Sequence, residues 1–197
     1  MTSISIPEMK QEFIRICKEK ISRAGVNELL EWLEDSDFYQ APASSKFHSN
    51  FDGGLVYHSL NVYYELVKLN EIYETNISEE SIAICALFHD LCKVHFYKKG
   101  FRNVKDDETG KWYQKPVFEI DEKVPLGHGE KSCIILQNYM QLQINELLAI
   151  RWHMNGFDCS VKGGDYSLNK AMEISPLVLL LSVADMVASN LREFKVV

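Results

Sequence analysis

The segment Ser81-Ile-Ala-Ile-Cys-Ala-Leu-Phe-His89-Asp90-Leu-Cys-Lys93 sets how the rest of the chain is read. It is markedly apolar, and Ile82, Cys85 and Ala86 fall on one helical face that His89 continues. Asp90 follows about 100° further round the helix. An imidazole and a carboxylate turned toward an apolar interior need a partner, because an unpaired buried charge is costly. One solution is a hydrogen-bonded pair at a helix end. The other is a divalent metal, to which His offers a neutral nitrogen and Asp two oxygens able to bridge two ions. The dipeptide does not choose between these; the flanking segments do.

Upstream, Ser78-Glu79-Glu80 supplies a serine cap and an acidic first turn for this helix. Gly53-Gly54 opens an earlier helix, from about Leu55 to Tyr73, whose apolar face is Leu55, Val62, Leu66 and Leu69; His58 points the same way. Ala41 to Lys46 is a loop. Residues 7–22 and 26–34 form two amphipathic helices around Gly25.

Downstream the period changes. His95 to Lys105 and Lys111 to Ile120 are aromatic and β-branched, separated by Asp106-Asp-Glu-Thr-Gly110, which predicts a β-hairpin with Pro116 on an edge strand. Helices resume near Gly127-His128-Gly129 and run to Met140, then from Ile144 to Met154, ended by Asn155-Gly156. A last helix follows Ser175-Pro176 and runs to about Phe194. The expected fold class is all-α, a helical bundle with one inserted β-hairpin at about 95–120, preceded by an N-terminal helical extension over residues 1–46.

Composition bounds the function. The 197 residues suit one domain, and a net charge of −7 argues against a broad basic surface for long nucleic acid, while leaving room for a local basic patch. The five cysteines include no C-x-x-C pair, so neither a zinc ribbon nor a disulfide framework is indicated, and Cys85 and Cys92 read as small core residues. Pro7, Glu8 and Lys10 interrupt any signal-peptide core, and the most apolar run, Leu177 to Val187, holds Asp185 and is too short to span a bilayer. The expectation is a soluble cytoplasmic protein with no membrane association; oligomeric state is open.

Further polar residues stand out by position. His58 faces a core, His128 sits at a glycine-flanked helix start, and His153 lies at a helix end. Asp185 shares a face with Leu177, Leu181, Ala184 and Ala188, where its alternative role is a buried salt bridge to Lys or Arg. Four histidines and two aspartates on five helix segments suit two cations, with histidines terminal, Asp90 bridging and positions left for water.

The ordered set His58, His89-Asp90, His128, His153 and Asp185 resembles the HD-domain superfamily of metal-dependent phosphohydrolases. His89-Asp-Leu-Cys-Lys93 is similar to its His-Asp-x-Gly-Lys motif, with Cys92 in the glycine place, and Leu179 to Met186 is similar to its terminal metal-binding helix. The resemblance covers roughly residues 47–195, so residues 47–197 are expected to form the HD domain. His48-Ser-Asn-Phe-Asp-Gly-Gly-Leu-Val-Tyr-His58 resembles the first motif of the HD domain in YhaM-type 3′-5′ exoribonucleases. Those enzymes carry an OB-fold domain upstream, whereas the 46 residues here read as helices, which speaks against processive action.

The resemblance implies a metal set of His58, His89, Asp90, His128, His153 and Asp185, holding two divalent ions drawn from Mn, Mg, Fe, Co, Ni or Zn. It implies catalytic roles for Asp90 and Lys93, with Lys93 meeting substrate phosphate; a surface lysine at a helix C-terminus is its other reading. His48 is a candidate phosphate contact or a loop cap. The implied substrate is a small phosphorylated molecule, a nucleotide or dinucleotide, or a short single-stranded nucleic acid. Lys98, Lys99, Arg102 and Lys105 among Phe96, Tyr97, Phe101, Trp112 and Tyr113 suit bases and phosphates, or simply keep an edge hairpin solvated. Two other functions stay open: a di-iron HD-fold oxygenase, and a non-catalytic metal-stabilised regulatory module.

Overall fold

A computed structural model describes residues 5–193. Its elements are α1 (Ile6–Lys20), α2 (Val26–Asp35), α3 (Gly54–Tyr73), α4 (Glu79–Phe88), β1 (Tyr97–Lys105), β2 (Trp112–Ile120), α5 (His128–Gln137), α6 (Ile144–Trp152), α7 (Cys159–Lys162), α8 (Ser167–Ile174) and α9 (Pro176–Val187). The helices pack around one apolar core, and the antiparallel β1–β2 pair stands apart from it, as the hairpin reading expects.

α4 is the centre of the molecule. Ser81 to Phe88 are all buried, so the helix has no solvent face, and Ser78 caps it by accepting from the Ser81 amide at 3.1 Å. A helix apolar on all sides belongs in a core. α3, α1 and α6 pack against it. Phe13 of α1 is fully buried, with its ring 5.7 Å from Phe88 and 5.1 Å from Phe38. Burial of such a side chain contributes about 1.5–3 kcal/mol. The N-terminal helices thus share the core that backs His89, the residue after Phe88.

A buried ionic network makes the same link. Arg23, between α1 and α2, pairs with the fully buried Glu146 of α6 and with Glu80 of α4, and Ser81 Oγ donates to Glu146 Oε1 at 2.7 Å.

Two glycines permit close backbone approach. A Cβ on Gly54 would sit 1.9 Å from the Ser49 carbonyl oxygen, so only glycine lets α3 begin against the loop carrying His48. A Cβ on Gly129 would sit 2.1 Å from the Arg151 carbonyl oxygen, so glycine brings the start of α5, with His128, against the end of α6, near His153.

The structure departs from the sequence reading at several helix ends, α5 among them, which stops at Gln137 short of Met140, and in two short helices. The helix of Ser81–Lys93 stops at Phe88: His89 keeps helical backbone, but Asp90 leaves it (φ −106°, ψ 23°) and a 3-10 turn over Leu91–Lys93 follows. The short α7 and α8 are additional elements, four and eight residues long, too short for their pattern to stand out; α8 buries Leu168 and Ala171. The helix to Met154 ends at Trp152, with His153 as its cap. The last helix gives way after Val187 to a π-helical turn over Ala188–Arg192, and its expected end, Phe194, lies outside the described residues. No single helix among the described residues is long and apolar enough to cross a membrane.

Candidate metal centre

His58 sits on the inner face of α3, His89 caps α4, Asp90 follows it, His153 caps α6 and Asp185 lies on α9. All but Asp185 are nearly fully buried, and Asp185 is partly so. Five residues from four helices therefore meet at one point inside the bundle.

The hydrogen bonds aim the imidazoles. His89 Nδ1 lies 2.9 Å from the Ala86 carbonyl, and His153 Nδ1 lies 2.7 Å from the Ile150 carbonyl. Each Nδ1–H donates to its carbonyl, which leaves the Nε2 lone pair facing the centre. His58 Nδ1 meets the Glu193 carboxylate at 3.0 Å, with the same consequence. Such partners fix tautomer and ring orientation for metal-binding histidines.

The converging atoms then repel one another unless a proton or a metal cation lies among them. His58 Nε2 and His89 Nε2 are 3.3 Å apart, and as neutral rings with their protons on Nδ1 neither can donate to the other. His153 Nε2 is buried without any hydrogen-bond partner. Burial disfavours a charged His58, yet Glu193 and Asp185 overcome it and push its pKa up to about 10, so the pocket favours positive charge there. A divalent ion meets this demand, and the donor set of imidazole nitrogens and carboxylate oxygens fits one.

Asp90 is the hub. Its Oδ2 faces His89 Nε2 at 3.4 Å and His58 Nε2 at 3.6 Å, whereas its Oδ1 faces His153 Nε2 at 3.6 Å. Around it donor atoms form two overlapping groups, His58–His89–Asp185 and His89–Asp90–His153, each within 4.8 Å, and a third such group, His48–His58–Glu193, shares His58. Burial raises the cost of the Asp90 charge, but Lys93 and His89 hold its carboxyl well below the usual range. Leaving the helix after His89 is what lets Asp90 face the same point as its neighbour.

Lys93 is not a surface residue. It is buried, with Nζ 2.6 Å from Asp90 Oδ2. Asp185 has no Lys or Arg partner among the described residues; its Oδ1 lies 3.2 Å from His58 Nε2 and accepts from Ser189 Oγ at 3.1 Å.

His128 stands outside all three groups. Its Nδ1 is 3.4 Å from Cys92 Sγ, and its ring packs edge-on to Phe96 at 5.7 Å. Burial, with Asp90 alongside, pushes the Cys92 thiol up to about 12. His48 has its ring 4.9 Å from that of His58, and its Nε2 is buried without a partner. Burial, with His58 and Lys93 nearby, drives its pKa down to about 4, which keeps it neutral. His95, left out of the site by its sequence, pairs with Asp37 instead.

Glu193 is the residue that sequence reading missed. It accepts from His58, from Ser49 Oγ at 2.6 Å and from Asn61 Nδ2 at 3.1 Å. The one signal for it is its place eight residues after Asp185, a little over two helical turns. The π-turn, closed by the Glu193 amide on the Ala188 carbonyl at 3.0 Å, sets where it falls. Glu193→Gln, which removes the charge but keeps the shape, is expected to weaken metal affinity about tenfold. Competition with a chelating dye measures this, and unchanged affinity would refute the role.

The molecule is thus a helical-bundle protein with a His/Asp cluster able to hold metal. The HD domain family model matches residues 55–190, and the chain belongs to that family. It is also similar to a dihydroneopterin 2′,3′-cyclic phosphate phosphodiesterase of Methanocaldococcus jannaschii, 31% identical over 86 residues. That match spans 42% of this chain and 32% of the relative, so the chain covers about a third of the relative's length. No solved structure matches significantly.

Proposed function

We propose that the chain is a metal-dependent phosphohydrolase with a two-metal centre, cleaving a phosphoester of a nucleotide, dinucleotide or short oligonucleotide. The observation that carries this is Asp90, whose two oxygens face different histidines. That is the arrangement expected of a ligand bridging two ions. His58, His89 and Asp185 would hold one ion; His153, with His128 beside it, would serve the other, and Asp90 would be shared between them. Ions bound there would act as Lewis acids and activate water for in-line attack at phosphorus.

The chain's own residues position the substrate. Lys93, held on Asp90, places a buried ammonium where phosphoryl charge develops. The partnerless Nε2 of His48 is available to a phosphate oxygen. The cyclic phosphodiester in the name of the archaeal relative supports a diester.

The test is a panel of phosphodiesters and nucleotides assayed with Mn²⁺, Mg²⁺, Co²⁺ or Ni²⁺, alongside metal analysis of the purified protein. Turnover with close to two ions per chain is expected. Iron with oxygen consumption and no hydrolysis would instead establish the oxygenase, and metal without turnover of any kind the regulatory module.

A further inference from the structure

The β1–β2 hairpin is a bare two-stranded ribbon, with Phe101 68%, Trp112 70% and Ile120 60% exposed. Isolated hairpins are marginal in water, and clustered exposed apolar groups mark binding surfaces. The register pairs Lys99 with Phe118, Phe101 with Pro116, and Lys105 with Trp112. Alternate residues share a face. One face therefore interleaves Phe118, Phe101 and Trp112 with Lys99 and Lys105, and carries no Asp or Glu. The strands' single acid, Glu119, lies on the other face, paired with Lys98.

This face begins next to the metal centre. Its first residue, Tyr97, comes four residues after Lys93, which holds Asp90, and the Phe96 amide between them donates to the Lys93 carbonyl at 3.3 Å. Tyr97, Lys99 and Phe118 line a groove with Pro42, Asp52 and Asp37, the last held by the His95 amide at 2.8 Å. The Lys99–Asp52 ion pair, 2.8 Å long, is largely exposed at both ends, so a phosphate can displace it at little cost.

We propose that this face binds a short single strand of nucleic acid, bases on the aromatic side chains and phosphates on the lysines, with one end delivered to Lys93. What happens to that end rests on the phosphohydrolase reading above. Same-face residues lie about 7 Å apart along a strand, which an unstacked strand matches and a duplex step of about 3.4 Å does not. From Tyr97 to Lys105 the track is about 27 Å long, room for about four such nucleotide steps. Beyond it the turn acids Asp106, Asp107 and Glu108, and a net charge of −7, repel further phosphates. A second copy of the chain is a poorer occupant, because the face would meet its own lysines.

Fluorescein-labelled oligo-dT and oligo-rU of two, four and eight nucleotides, titrated with full-length protein in EDTA and read by anisotropy, test this. Affinity should rise from two to four nucleotides, level off by eight, and fall with added salt. Trp112→Ala should weaken it about tenfold and Trp112→Phe should restore it. No binding at about 10⁻⁴ M protein in low salt, equal binding by Trp112→Ala, or a concentration-dependent blue shift of tryptophan emission that Trp112→Phe abolishes, without nucleic acid, would overturn it, the last by giving the face to a second copy. Wild-type hydrolysis of bis(p-nitrophenyl) phosphate with added metal separates the two ideas. Strand binding without it leaves the track standing and removes the hydrolase; hydrolysis without strand binding does the reverse.

Discussion

Asp90→Asn is expected to strip the protein of metal and to lower hydrolysis roughly a thousandfold, a barrier increase of about 4 kcal/mol. The substitution keeps the size of the side chain but removes the charge that faces three histidines and accepts from Lys93. It leaves the Lys93 ammonium buried beside a neutral amide, so some loss of stability is expected as well. His89→Ala serves as the second variant, because it removes a donor shared by two of the groups without stranding a lysine. Metal content by elemental analysis, initial rates and far-ultraviolet circular dichroism are the measurements. Wild-type rates from a metal-depleted, still helical Asp90→Asn protein would sink the proposed chemistry.

Arg23→Met is expected to destabilise the fold by about 3–5 kcal/mol, because it leaves the Glu146 carboxylate wholly buried without its guanidinium. Glu80 loses the same partner. Urea denaturation should show a lower midpoint with an unchanged slope. The double variant Arg23→Met/Glu146→Leu should recover much of the loss, since an apolar pair needs no compensation. A loss below about 1 kcal/mol in the single variant would show that the network contributes little. This matters for the site because Arg23 ties the N-terminal helices to α4 and α6, which end in His89 and His153.

Much of the scaffold is legible in the amino-acid sequence. Gly53-Gly54 and Ser78 mark the starts of α3 and α4 within a residue, since a glycine pair and a serine cap act locally. The hairpin is legible because its period, aromatics and turn residues differ from those of the flanking helices. His58 reads as inward because it lies three and four residues from Leu55 and Val62. The π-turn is not legible because it depends on tertiary packing more than on local pattern, and α8 because eight residues give its pattern too few turns to stand out.

Local pattern suffices to say which side chains turn inward: His58, His89, His153 and Asp185 sit on apolar faces whose period is written in their neighbours. How those side chains relate to one another is a matter of packing alone. Packing breaks the α4 helix so that Asp90 divides its oxygens among the histidines, and buries Lys93 against it. It leaves His128 beside Cys92 and outside all three donor groups, and brings Glu193 in behind His58. The reason is physical: periodicity reports the buried face of one helix, but the distance between atoms on two helices depends on how those helices cross and on the few backbone dihedrals at their ends.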